Sequence, residues 1–503
     1  MTKPKASKKV SKPLFEDADW NFDTLRRTYD AIEDIALNEL ELSVYPNQIE
    51  IISAEQMLDA YSSVGMPLMY AHWSYGKHFV ANEIQYRKGL RGLAYEIVIN
   101  SSPCISYNME ENTMAQQTLV MAHAAFGHNH FFKNNQQFLQ WTDAEGILDY
   151  LNFAKSYITQ CEERYGVAEV ESVLDAAHAL MSHGVFRYRR PQKLSLKAEE
   201  ERRKERIAYE ERMVHYLWDG LTSLAKAEPN DAQREAEKRK HTLHLPEENL
   251  LYFLEQYSPI LHTWQREVLR IVRNIAQYFY PQRQTKVMNE GCACFVHYYI
   301  TNRMHEKGQL TDGTMLEILH NHSNVITQPD FDEAHYGGFN PYALGFAMME
   351  DIKRICLEPT EEDYAWFPEF AGNRDWKNTI KDAWANYRDE SFITQFLSPH
   401  VIRKFRMFTL SDEARAAHVQ VSDIHNEQGY INIREKLART YDIAIMDPDI
   451  QVVDVDLLGD RCLKLQHLKR DGIALNNVER DKVLSHLRKL WGYDVAMEEV
   501  EAS

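Results

Sequence analysis

The chain has 503 residues, with 57 Lys and Arg against 75 Asp and Glu and a formal charge of −18. That acidic balance excludes a general binder of nucleic acid or of anionic membrane, and favours small-molecule or protein partners. No apolar run approaches the roughly 20 residues of a membrane-spanning helix, so no membrane insertion is expected. Six cysteines, at 104, 161, 292, 294, 356 and 462, form no CxxC pair, which is the usage of a reduced, cytoplasmic protein.

Residues 1–19 open with the basic stretch MTKPKASKKVSKP, which has no apolar segment and reads as a disordered tail. From Trp20 to about Leu42 apolar residues recur at three and four, predicting an amphipathic helix. A short extended run follows at IEII (49–52), then a helix begun by Ser53, with Gln56 three residues on in capping-box spacing. AYEIVI (94–99) predicts a strand or hairpin, and helical periodicity returns over 113–128, 143–160 and 167–183. Mixed charges crowd 185–245, including Arg187, Arg189 and Arg190, and read as a solvated insertion.

Residues 245–282 predict two helices divided by Pro259, with Pro246 in a first turn and Pro281 as the end. Beyond about 400 the pattern becomes α+β. FRMFTL, HVQVSDI and DIAIMD read as strands, and IQVVDVDLLGDRCLKLQHL as a hairpin around Leu458, Gly459 and Asp460. INIREKLARTYD and NNVERDKVLSHLRKLWG read as helices, the second capped by Asn476 or Asn477. The expected fold is therefore mainly α. A large helical domain (20–405) with a small strand element precedes a small α+β domain (406–503).

Chemistry concentrates in VMAHAAFGHNHFF (120–132) and NEGCACFVHYYI (289–300). On an α-helix His123 and His130 share a face, being seven residues and about 700° apart, whereas His128 points elsewhere unless the helix unwinds at Gly127. Glu290 and His297 have the same spacing, with Ala293 and Cys294 between them. Small residues there would let the two helices approach until imidazoles and a carboxylate converge. Neutral imidazole with carboxylate suits zinc, iron or manganese. Cys292 and Cys294 diverge by about 200° on a helix and make a poor chelating pair.

The expected ligands are His123, His128, Glu290 and His297, with His130 or His72 as acid/base. The competing reading is a buried hydrogen-bond network. Ala124 stands where HExxH would carry its glutamate, so an ordinary zincin mechanism is not supported. His72, Tyr75, Lys77 and His78 in YAHWSYGKHF make a further cluster, read equally as pocket lining or surface packing. Gly337, Gly338, Asn340 and Pro341 read as a tight turn before a helix.

Taken in order, YAHWSYGKHF, VMAHAAFGHNHFFKNN, the 245–282 block, TKVMNEGCACFVHYYI and GGFNPYALGFAMMEDI resemble the stage V sporulation protein R family over nearly the whole chain. The resemblance implies a link to spore cortex and cell-wall formation, or to starvation and stress in bacteria that do not sporulate. It implies two partners, a PrkA-like serine kinase and a von Willebrand factor A-type protein. The family pattern NEGWA followed by histidine is met at Glu290, Gly291, Ala293 and His297, while Cys292 replaces the tryptophan. EGxA and HAAFGH also look like ligand helices of gluzincin-type peptidases, by analogy alone. Two functions follow as expectations: a metal-dependent hydrolase, or a non-enzymatic adaptor for those partners.

Overall fold

A computed structural model describes residues 12–63, 66, 68–88, 95–187, 243–411, 420–423, 425–457, 459–470 and 472–501. Most of the expected insertion at 185–245, with Arg189 and Arg190, and Leu458 of the hairpin lie outside these residues. So does most of the basic tail. The described chain is mainly helical with small sheets. Its contacts define two units that interleave in sequence, whereas the sequence reading divides the chain linearly at 405/406. One comprises residues 1–67, 75–139 and 282–442; the other comprises 68–74, 140–281 and 443–503.

The first unit opens with helix α1 (Phe22–Asp34), which buries Leu25, Thr28 and Ile32 and runs on into a π-helical turn, Ile35–Glu39. Strands β1 (Asn47–Ile52), β2 (Glu96–Ile99) and β3 (Cys104–Met109) form a sheet in the order β1-β3-β2. β3 runs parallel to β1 and antiparallel to β2, so Glu96 at the start of β2 lies opposite Asn108. Ser53 caps the next helix through the expected box with Gln56.

After β3, helix α2 (Met114–Met121) passes without a break into a π-helical segment, Ala122–His128, and then α3 (Asn129–Asn134). This continuous rod is buried along almost its whole length. It packs on α4 (Lys286–Glu306), followed by α5 (Asp312–Val325) and α6 (Pro341–Leu357). Asn340 caps α6 by accepting from the Tyr342 N–H, with Pro341 in the first turn, so the GGFNP segment is the predicted turn.

Glycines set the spacing at two crossings. A Cβ on Gly127 would lie 2.5 Å from Ala293 Cα, and one on Gly291 would lie 2.5 Å from the Gly345 carbonyl carbon. These are backbone-to-backbone approaches that no rotamer relieves. The N-terminus of α4 is capped from a distance: the Asp389 carboxylate accepts from Val287 N–H (2.8 Å) and Met288 N–H (2.9 Å). α4 is thus held at its start by Asp389 and along its length by two backbone crossings.

In the second unit, helices Ile147–Tyr165 and Val167–Ala179 join through Gly166, whose φ of 92° only glycine adopts freely. Two corrections concern prolines. The helix after Pro246 begins at Leu250, capped by Asn249, and Thr263–Gln284 runs through Pro281 for one further turn. Near a helix end, proline forfeits a single ladder bond, which is tolerated.

DIAIMD is not a strand: Ile443–Met446 form a helical turn. Strands Asp449–Val455 and Leu463–Lys469 pair antiparallel, as the hairpin pattern implied. A third strand, Val495–Glu501, adds parallel to Leu463–Lys469 after the helix Asn477–Trp491, which Asn476 caps. No helix among the described residues is long and apolar enough to cross a membrane.

Candidate functional site

In an α-helix five residues correspond to about 500°, which would turn His123 and His128 about 140° apart. The π-helical segment Ala122–His128 changes this, because i→i+5 hydrogen bonding stacks position 128 above position 123. The two rings meet edge to face with centroids 4.6 Å apart. The sequence reading named an unwinding at Gly127 as the condition for this pairing. The π-helical turn supplies it, being wider and underwound relative to the α-helix, and Gly127 seats it against Ala293.

Each ring has one nitrogen tied off. His128 Nδ1 lies 2.9 Å from Asn289 Oδ1, so Nδ1–H donates to the amide oxygen and Nε2 is left for another partner. The backbone carbonyl of Ala293 hydrogen-bonds to both His123 and His297. The two Nδ1 atoms also hydrogen-bond to each other at 2.9 Å, one nitrogen donating and the other accepting. His297 Nε2 is in turn engaged by His322 Nδ1 at 2.8 Å. His123 Nε2 therefore remains for other partners.

The free nitrogens face carboxylates. His123 Nε2 lies 3.6 Å from Glu96 Oε1, and His128 Nε2 lies 3.6 Å from Glu290 Oε2. Donor atoms of Glu96, His123 and His128 all fall within 4.8 Å of one another, as do those of His123, Cys294 and His297. Tyr342, at the start of α6, hydrogen-bonds to Glu290, while Glu290 Oε2 has no hydrogen bond at all.

Burial governs the titration here. It pushes His123 and His297 well down, reinforced by neighbouring rings, and brings His322 to about 4, so all three imidazoles are neutral. Burial, with Glu290 nearby, pushes the Glu96 carboxyl up to about 8; burial also raises Glu290. Two crowded carboxyls, one with an oxygen that makes no hydrogen bond, beside the Nε2 atoms of His123 and His128 are a donor set that a divalent cation fits.

Four of the six expected residues are thus brought together: His123, His128, Glu290 and His297. His297 supports His123, with its own Nε2 directed to His322. His130 is not brought to the group. Its Nδ1 takes the Ser43 N–H at 3.0 Å and its ring meets Trp384 edge-on. The π-helical turn between 123 and 130 destroys the seven-residue register that α-helical geometry assigns them.

His72 belongs to the second unit. Its Nδ1 accepts from Ser74 Oγ (2.7 Å) and Ser74 N–H (3.3 Å), and its Nε2 lies 3.2 Å from Asp175. This imidazole caps the helix Trp73–Arg87.

The sequence reading missed Glu96, Asn289, His322 and Tyr342. Only Glu96 carried a signal, as a lone acid opening the apolar run EIVI. It also discounted both cysteines: Cys292 faces the Gly127 carbonyl at 3.8 Å, but Cys294 lines the group.

Comparison with known proteins agrees with this arrangement of blocks. The family model described as SpoVR like protein matches residues 19–446, and the SpoVR-like C-terminal domain matches 448–502. The chain is similar to the uncharacterized protein YcgB of Escherichia coli (strain K12), 53% identical over 486 residues that cover 97% of this chain and 94% of that protein. No solved structure matches. The chain belongs to the SpoVR-like family.

Proposed function

We propose that this protein is a metal-dependent hydrolase acting on amide bonds of cell-wall-related material, with one divalent ion held by His123, His128 and Glu290. The observation that carries this reading is the pair of oriented imidazoles, each with Nδ1 engaged and Nε2 turned to a carboxylate, one oxygen of which is unpaired. Three protein ligands leave a position open, as catalytic sites require. Zinc, iron and manganese all suit imidazole and carboxylate donors, and the ion would supply Lewis acidity toward a substrate carbonyl.

The remaining steps fall to this chain's own side chains. Ala124 occupies the place of the HExxH glutamate, and Glu96 brings a carboxylate to the same side from β2. With its carboxyl pushed up to about 8, Glu96 is suited to take a proton from the attacking water and return it to the leaving amine. Asn289 and the Ala293 backbone hold the two imidazoles in place by hydrogen bonds, and the Tyr342 hydroxyl orients Glu290.

The test is incubation of zinc-, manganese- or iron(II)-loaded protein with purified peptidoglycan fragments, followed by mass spectrometry for paired new amines and carboxylates. Cleavage is expected from wild type, with loss in Glu96→Gln that keeps its metal and in Glu290→Ala that does not. Cleavage that survives Glu290→Ala or chelation, or none with any of the three metals, overturns the reading.

A further inference from the structure

A pocket of about 540 Å³ lies in the first unit between the segment 326–347 and residues 404–408. Its walls are aromatic. Phe331 meets Phe408 edge to face at 5.0 Å, and Phe339 meets Phe405 at 6.2 Å. Phe331 is 56% exposed, so the aromatic wall is open to solvent on that side.

The back wall adjoins the metal cradle. Phe346, which lines the pocket, packs edge-on against His322 at 4.7 Å, and His322 holds His297. Ala343, also in the lining, follows Tyr342, the residue bonded to Glu290. Pocket and cradle thus share helix α6.

The lining carries two cations, Lys404 and Arg406, against one carboxylate, Asp330, and Lys404 makes no ion pair among the described residues. Arg406 adopts φ 49° as the left-handed residue that ends the helix Pro399–Lys404, where the Met407 N–H closes the turn on the Ile402 carbonyl (3.0 Å). This helix end carries the Arg406 guanidinium at the pocket, where it rests 3.2 Å from Asp330 in a solvent-exposed pair. An exposed pair of this kind contributes little and is readily exchanged for another anion.

We infer that this pocket binds an organic anion with an apolar body, the anion held by Arg406 and Lys404 and the body between the phenylalanines. The volume is in the range of small-molecule sites. A purely apolar occupant is disfavoured, because it gives no role to the two cations in the lining, Lys404 and Arg406. As a binding site the pocket stands independently of the hydrolase reading.

The probe is 8-anilinonaphthalene-1-sulfonate, titrated by fluorescence into the full chain after EDTA treatment, with uncharged N-phenyl-1-naphthylamine as counterpart. Arg406→Gly is the informative variant, since glycine adopts φ 49° without strain and the fold is kept. Wild type should bind the sulfonate at one site. Arg406→Gly should bind it about tenfold or more weakly, the loss of a charged hydrogen bond, while the uncharged dye binds both alike. Equal sulfonate affinity in the two proteins, or none in wild type, overturns the inference. Metal content measured on the same preparations separates the two claims: a functional pocket in a protein that takes up no metal removes the hydrolase reading alone.

Discussion

Gly291→Ala tests whether backbone contact between α4 and α6 positions Glu290. The new Cβ would lie 2.5 Å from the Gly345 carbonyl carbon and 2.6 Å from its Cα, whereas carbon atoms pack at about 3.5–4.0 Å. The helices would have to part by about 1 Å. Overpacking costs about 1–3 kcal/mol, and the upper end applies because neither contact is a movable side chain. Alanine recovers about 1 kcal/mol of helix propensity, leaving a net loss of about 2 kcal/mol.

Gly76→Ala is the matched control in the same unit. Nothing lies within 4 Å of its Cβ position, so the substitution should stabilise by about 0.5–1 kcal/mol. Urea denaturation followed by tryptophan fluorescence reads both, and isothermal titration with zinc reads the accompanying displacement of Glu290 as weaker binding. If Gly291→Ala matches wild type in stability and zinc affinity, the crossing does not hold the site and the argument fails.

Three further outcomes follow from the same geometry. Asn289→Ala frees the His128 tautomer and should lower metal affinity about 10–100-fold with the fold intact, measured by competition with a chromogenic chelator. Asp389→Ala leaves buried N–H groups of α4 unpaired and should cost about 2 kcal/mol in chemical denaturation. Glu96 gives a pH signature in the metal-free protein. The folded state keeps a proton until about 8 that the unfolded chain releases near 4.5, so this group's contribution falls as pH rises between those values. Glu96→Gln should flatten that decline in melting experiments.

Elements with strong local signals were legible in the sequence: the Ser53 capping box, the 113–128 helix, the Asp449–Lys469 hairpin and the Asn476 cap. The pairing of the 120–132 and 289–300 segments was legible too, because Gly127 and Ala293 leave room only for backbone contact. The π-helical turn was not. A wider helical turn is stabilised by its packing rather than by residue propensity, so α-helical arithmetic joined His130 to His123 and turned His128 away. Glu96 reaches the cradle through sheet pairing with β3, a strand that carried no clear alternation and went unrecognised. DIAIMD misread as a strand shows the same weakness, since a short apolar run does not distinguish strand from helical turn.

The central claim is that His123, His128 and Glu290 hold a divalent ion. Metal content by inductively coupled plasma mass spectrometry, on protein purified both aerobically and anaerobically, tests it directly. The account predicts close to one ion of zinc, iron or manganese per chain, lost in both His123→Ala and Glu290→Ala while circular dichroism shows the helical fold retained. No metal in either preparation of the wild type, or full occupancy in both variants, would contradict it.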